Sequence, residues 1–174
     1  MRELGPLREN PPLPSGKARV FFLAEGDLRG PVHVFDQRGT YYGAIGSGQV
    51  LVCDLEPGRY RFYAIRERNG YAVEVPSISQ GQVAYIGAAD PLFGSLEWRS
   101  LNGCDERSKR ARQAALRLTR VEKNERAEEV ALQELGDVPR RIAEADRDLE
   151  QLPPNQRKLR LVEFTEPQDR PCPN

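Results

Sequence analysis

The stretch LEPGRYRFYAIRERNGYAVEVPSISQGQVAYIG, residues 55–87, is the most regularly patterned part of the chain and decides how the rest is read. Glu56-Pro57-Gly58 is turn text, because proline presets φ and glycine tolerates positive φ. After it, Tyr60, Phe62 and Ala64 alternate with Arg59, Arg61 and Tyr63, the two-residue period of a strand with one face turned inward. Arg68-Asn69-Gly70 reads as a hairpin turn of the Asn-Gly kind. Two more runs, YAVEVPSI and QVAYIGA, complete a pattern of strands joined by tight turns. The stretch is therefore scaffold rather than site.

The same text extends in both directions. KARVFFLA and QVLVCDL have strand length and composition, and GPVHVFD alternates Val32 and Val34 against His33 and Phe35. SLEWRSL supplies a last strand. Seven or eight short strands at roughly 8–12-residue spacing, without helices between them, predict an antiparallel sandwich over residues 17–101. Residues 1–16 form a Pro-rich leader, in which Pro6, Pro11, Pro12 and Pro14 favour extended backbone lying along the domain or trailing from it.

The character changes at Asp105. Residues 105–135 hold no Gly or Pro and are rich in Ala, Leu, Arg and Glu, which predicts a helix about 45 Å long at 1.5 Å per residue. Gly136 reads as its C-cap, Asp137 as the N-cap of a second helix with Pro139 in its first turn, and Pro153-Pro154 as the stop. Val138, Ile142, Ala145, Leu149 and Leu152 form the second helix's apolar stripe. The fold class expected is α+β: a sandwich of about seven strands with a C-terminal helical arm, a helix pair over residues 104–152. A tail over residues 153–174 follows, with a returning strand at 158–164. A first helix of that length exceeds the width of so small a sandwich, so the arm is expected to project or to pack on its own second helix or another chain.

Pro57, Gly58 and Tyr60, followed by Gly81, Tyr85, Ile86 and Gly87, make a pattern that resembles small bacterial envelope β-sandwich domains, many of them lipoproteins and some known only as domains of unknown function. Transthyretin-like and carboxypeptidase-regulatory-like sandwiches share the Pro-Gly-x-Tyr turn. The resemblance covers about residues 17–90. It implies a fold and a periplasmic or cell-envelope address, with the cytoplasm as the alternative, and it implies no reaction.

Composition excludes several chemistries. The 174 residues carry 26 basic and 26 acidic side chains, so no global field favours nucleic acid or anionic lipid. No apolar run approaches the roughly 20 residues that span a bilayer, and the N-terminus shows no signal core. Peripheral membrane association would require a leader or lipid anchor outside this chain. His33 is the only histidine, so a His-rich metal site is excluded, and no nucleophile motif surrounds it. The glycines of residues 43–48 are turn text rather than a phosphate loop, because a strand follows them instead of a helix. Glu144, Asp146, Asp148 and Glu150 read as a solvated helix face. Six tyrosines could offer a glycan-binding platform, but alternation turns about half of them inward. No catalytic residue, metal or cofactor is expected.

Of the three cysteines, Cys53 lies on an alternating strand and should be buried. Cys104 and Cys172 flank the helical region and are the candidates for a disulfide in an oxidising compartment. Residues 105–123 hold seven bases against three acids, and residues 124–151 nine acids against four bases. Successive halves of opposite charge suit helices that fold back on each other or pair between chains. The expected function is accordingly a non-enzymatic structural or interaction module, recruiting a protein partner or a second copy through the arm. Arg110, Arg117, Leu118, Val121, Leu132 and Leu135 are the candidate contact residues. The competing expectation is a glycan- or lipid-binding sandwich whose helices merely cover the sheet.

Overall fold

The computed structural model describes residues 1–6, 12–67, 69–90, 96–124, 126–162 and 164. Its elements run in the order β1 (Arg2–Pro6), β2 (Ala18–Ala24), β3 (Val32–Asp36), β4 (Tyr41–Ile45), β5 (Gln49–Leu55), β6 (Gly58–Arg66), β7 (Asn69–Ile78), β8 (Val83–Ala89), β9 (Glu97–Ser100), α1 (Glu106–Ala115), β10 (Thr119–Glu122), α2 (Ala127–Leu135), α3 (Val138–Gln151) and α4 (Pro154–Leu159). The chain is α+β with two sheets. One has six strands in the order β1-β10-β5-β2-β8-β9, the other four in the order β4-β3-β6-β7. The smaller sheet is wholly antiparallel. The larger is mixed, because β2 runs parallel to β8 and β10 parallel to β5. The all-antiparallel expectation is corrected there. Parallel partners are brought together by long crossovers, and sequence alternation carries no record of which strands those will be.

Alternation decides which residues fill the space between the sheets. Val20 and Phe22 of β2 meet Val34, Phe62, Ala64 and Val73 of the smaller sheet in one apolar cluster. Trp98, fully buried, stacks on Phe22 with ring centroids 5.6 Å apart, and its Nε1 donates to the Phe62 carbonyl at 3.3 Å. The opposite residues are buried too. Phe21 and Leu23 pack outward with Leu101 and with Ala111 of α1, while Phe35, Tyr63 and Ile65 pack outward under α2 and α3. Strands covered on both faces read as continuous apolar runs, which is why ARVFFLA is buried at every position.

The turn that opened the sequence reading is tied by its own tyrosine. The Tyr60 hydroxyl donates to the Glu56 carbonyl at 2.8 Å, closing the step from β5 in one sheet to β6 in the other. The Asn-Gly turn lies elsewhere than expected. Arg66 pairs with Asn69, Glu67 follows β6 at φ 52°, and Asn69 and Gly70 belong to β7, while Arg68 lies outside the described residues. Gly70 is required for a different reason: a Cβ there would stand 2.9 Å from the Arg141 carbonyl oxygen and 3.3 Å from Ala145 Cβ of α3.

The long first helix is the main correction. Helix ends at Ala115, and residues 119–122 form β10, inserted between β1 and β5. Val121 is 1% exposed in the inter-sheet core. Helix propensity loses because β5 has an edge to pair and Thr119 and Val121, both β-branched, present the strand period across it. Residues 105–135 are thus a helix, a strand and a second helix, and not a projecting rod. The start of the leader lies along the domain as a strand of the sheet: residues 2–6 pair antiparallel with β10, through register Arg2–Glu122 to Pro6–Thr119, and residues 7–11 lie outside the described residues. The second helix matches its expected caps. The Asp137 side chain accepts from Arg140 N at 3.1 Å, Pro139 sits in the first turn, and Gly136 ends α2 at φ 70°. The expected strand at 158–164 is reduced to a single parallel bridge, Glu74 to Leu161, because α4 takes Lys158 and Leu159.

Candidate functional site

The six candidate contact residues do not form one surface. Val121 lies in the inter-sheet core and Leu135 under α2 against the smaller sheet, 1% and 4% exposed respectively. Leu118 packs half-buried beside the Phe21 cluster. Arg110, Arg117 and Leu132 are exposed, on α1, in the following turn and on α2. The basic run is dispersed in the same way. Arg107 binds Glu25 at 2.8 Å and Glu97 at 3.0 Å, and Lys123 donates to the Tyr41 carbonyl at 2.9 Å. The tyrosines are divided among three apolar clusters and make no platform. Cys53 is free and buried, with its thiol pKa pushed up by burial. Cys104 is disulfide-bonded, and Cys172 lies outside the described residues.

What the structure brings together is a cleft between β7, α3 and α4. Its walls follow from local chemistry. Asp146 turns from the expected solvated face toward β6, accepting from the Tyr63 hydroxyl and from Arg61 Nη1, each at 2.8 Å. Its charge and hydrogen bond, after burial itself, raise the Tyr63 pKa. With the Gly70 contact, this clamp holds α3 on the sheet. Beyond it, a hollow of about 380 Å³ opens, with Tyr71 and Ala72 on one side and Leu149, Leu152, Gln151 and Gln156 on the other. A second hollow of about 290 Å³ adjoins it, lined by Leu149, Pro154 and Leu161 with Arg157, Lys158 and Glu74. Leu149 and Arg160 line both.

Arg160 is placed by its backbone. Glu74 N donates to the Arg160 carbonyl and Val162 N to the Glu74 carbonyl, both at 2.8 Å, so the segment after α4 is held on the β7 edge. The side chain lies over the Tyr71 ring, 5.8 Å from its centroid, and Nη1 reaches the Ala72 carbonyl at 3.4 Å. Burial lowers its pKa from the ordinary guanidinium value. In the sequence, Arg160 falls in the expected strand at 158–164 and Tyr71 among the six tyrosines. The available signal was the pairing of cations with leucines in KLRL, but nothing in the sequence places it beside Tyr71.

His33 is 7% exposed, with Nδ1 3.3 Å from the Tyr41 hydroxyl, at a hollow of about 290 Å³ beneath α2. Burial lowers its pKa and the charge of Glu134 opposes that shift. Burial also pushes the Tyr41 hydroxyl up. Both groups are therefore neutral near pH 7, an arrangement that packs a hydrogen-bonded pair beneath a helix.

Among the described residues, no three His, Cys, Asp or Glu side chains are grouped to hold a metal ion, and no helix is long and apolar enough to cross a membrane. The resemblance carried by Pro57, Gly58, Tyr60, Gly81, Tyr85, Ile86 and Gly87 rests on those residues alone. In comparison with known proteins, the chain matches no family model, no curated protein and no solved structure.

Proposed function

We propose that this chain is a non-enzymatic binding module: a β-sandwich whose helices cover the smaller sheet and, with β7, form the cleft that receives a ligand. The observation that carries this reading is Arg160, a partly desolvated cation held over Tyr71 at the meeting of two hollows of about 380 and 290 Å³. Such volumes stand at the small end of the range for ligand pockets. Charged groups are kept in so apolar a setting at a cost in desolvation, and a bound counter-group offsets it. The reading favours the covered-sheet alternative over an assembly arm, because α2 and α3 bury their apolar stripes against Phe35, Tyr63 and Ile65 of their own sheet.

An amide-detected NMR screen of small fragments on the full chain tests it. Hits should perturb Tyr71, Ala72, Gln151 and Arg160 together. Hits that gather elsewhere, or none in the cleft, remove the reading. Self-assembly is a second reading, supported by Val130 and Leu132 of α2, 47% and 43% exposed. Two residues apart on a helix they lie about 200° apart, flanking the buried stripe and not forming one patch. Light scattering decides it, since a monomer at all concentrations excludes self-assembly. The disulfide at Cys104 supports an oxidising, envelope-type compartment. Coding sequence upstream of Met1 tests that address, through the presence or absence of a leader.

A further inference from the structure

We propose that the β7–α3–α4 cleft takes a small amphiphilic anion, a carboxylate with a short apolar body, whose head group completes the Arg160 guanidinium. The inference rests on the binding reading above and names its ligand class.

A guanidinium offers five N–H donors in a planar fork. Among the described residues, Arg160 uses one, toward the Ala72 carbonyl at 3.4 Å, longer than the 2.7–3.2 Å of a good N–H···O bond. Among the described residues it forms no ion pair. Glu97 acts on it through charge alone, without an ion pair, and Glu74 on β7 is engaged by Arg61 at 3.6 Å and Arg157 at 3.9 Å. The Tyr71 ring lies under the guanidinium carbon at 5.8 Å, so the group is placed as well as underused. A planar carboxylate satisfies that fork with two parallel bonds, which a neutral ligand cannot.

The surroundings specify the rest of the ligand. Leu149, Pro154 and Leu161 give the second hollow an apolar lining, which suits a hydrocarbon body beside the head group. Lys158, exposed at the rim of that hollow, adds a second cation, and the carboxylate of Asp148 at the first hollow is exposed to water. The cations at the two hollows, Arg157, Lys158 and Arg160, outnumber the carboxylates, Glu74 and Asp148. The cleft therefore favours an anion without repelling an apolar group.

The test uses the full chain and three probes: hexanoate, hexanol and inorganic phosphate. Hexanoate should shift the Arg160 Nε–H and the Tyr71 and Ala72 amides saturably, with hexanol about tenfold weaker. Arg160→Gln should weaken hexanoate about tenfold and leave hexanol unchanged. Arg160→Lys, which keeps the charge but loses the fork, should recover only part of the loss and guards against a folding defect in the first variant. Equal shifts from hexanol and hexanoate would overturn the anion inference while leaving a binding cleft. Saturation by phosphate without hexanoate would overturn the apolar body. No shift in the cleft from any probe would remove the binding reading itself.

Discussion

Val121→Ala separates a strand built into the core from a helix that projects from it. Val121 is 1% exposed, packs in the same cluster as Trp98, and sits opposite Leu51 of β5 and Glu3 of β1. The substitution removes two methyl groups. At about 0.8 kcal/mol per buried carbon the transfer loss is about 1.6 kcal/mol. The space left in a two-sided core adds to it, for a total of about 2–3 kcal/mol. Urea unfolding followed by Trp98 fluorescence reads this directly, because Trp98 is the chain's only tryptophan and lies in that cluster. The midpoint should fall while the slope stays constant. Leu132→Ala is the matched control. At 43% exposure its loss should remain within about 0.5 kcal/mol. If Val121→Ala is as mild as Leu132→Ala, β10 is not part of the sheet and the account of residues 105–135 fails.

Gly70→Ala should destabilise by about 1–3 kcal/mol in the same assay, since the added carbon meets the Arg141 backbone oxygen at 2.9 Å and α3 must move. A neutral or stabilising result, as backbone entropy alone would give, would show that α3 packs elsewhere. Arg141 is 8% exposed, and its Nε and Nη1 find no hydrogen-bond partner among the described residues, so Arg141→Met should raise the melting temperature, by about 2–4 °C if about 1 kcal/mol is recovered. A fall in melting temperature would mean that those nitrogens are satisfied. Asp90 accepts from Arg66 Nη1 at 2.5 Å and from Arg29 N at 2.6 Å, and the Arg66 hydrogen bond lowers its pKa. A lowered folded-state pKa stabilises the fold above the ordinary carboxylate value of about 3.9 and loses that contribution as pH falls through it and below. Asp90→Asn should therefore cost stability near neutral pH, with the gap closing in urea titrations toward about pH 3. A gap that does not narrow with acid would refute the pairing.

The parts of the fold that the sequence exposes are those in which local chemistry and tertiary structure agree. The alternation in residues 59–65, the Pro57-Gly58 turn and the Asp137-Pro139 start of α3 each need only neighbouring residues to be understood. Thr119 and Val121 show the limit. Their strand period is four residues long and lies within thirty residues of strong helix formers, so only the open edge of β5 reveals it. Gly70 stands out in the sequence as a turn glycine, yet it is required beneath a helix, and the two look alike until α3 is placed. Arg160 and Tyr71 lie 89 positions apart in sequence and meet only because α4 returns the chain to the β7 edge. No spacing rule joins them.

The placement of β10 has a consequence for how the protein is made. Arg2 and Glu122, which pair across β1 and β10, are 120 positions apart. During synthesis at about 5–20 residues per second, β1 leaves the ribosome roughly ten seconds before the strand it must join. From its own emergence until β10 follows, β5 also presents a bare edge, the kind of template on which other chains can add. A chain cut short before residue 119 would keep that edge permanently. It should aggregate rather than yield a smaller soluble domain, even though every strand from β2 to β9 is present in it.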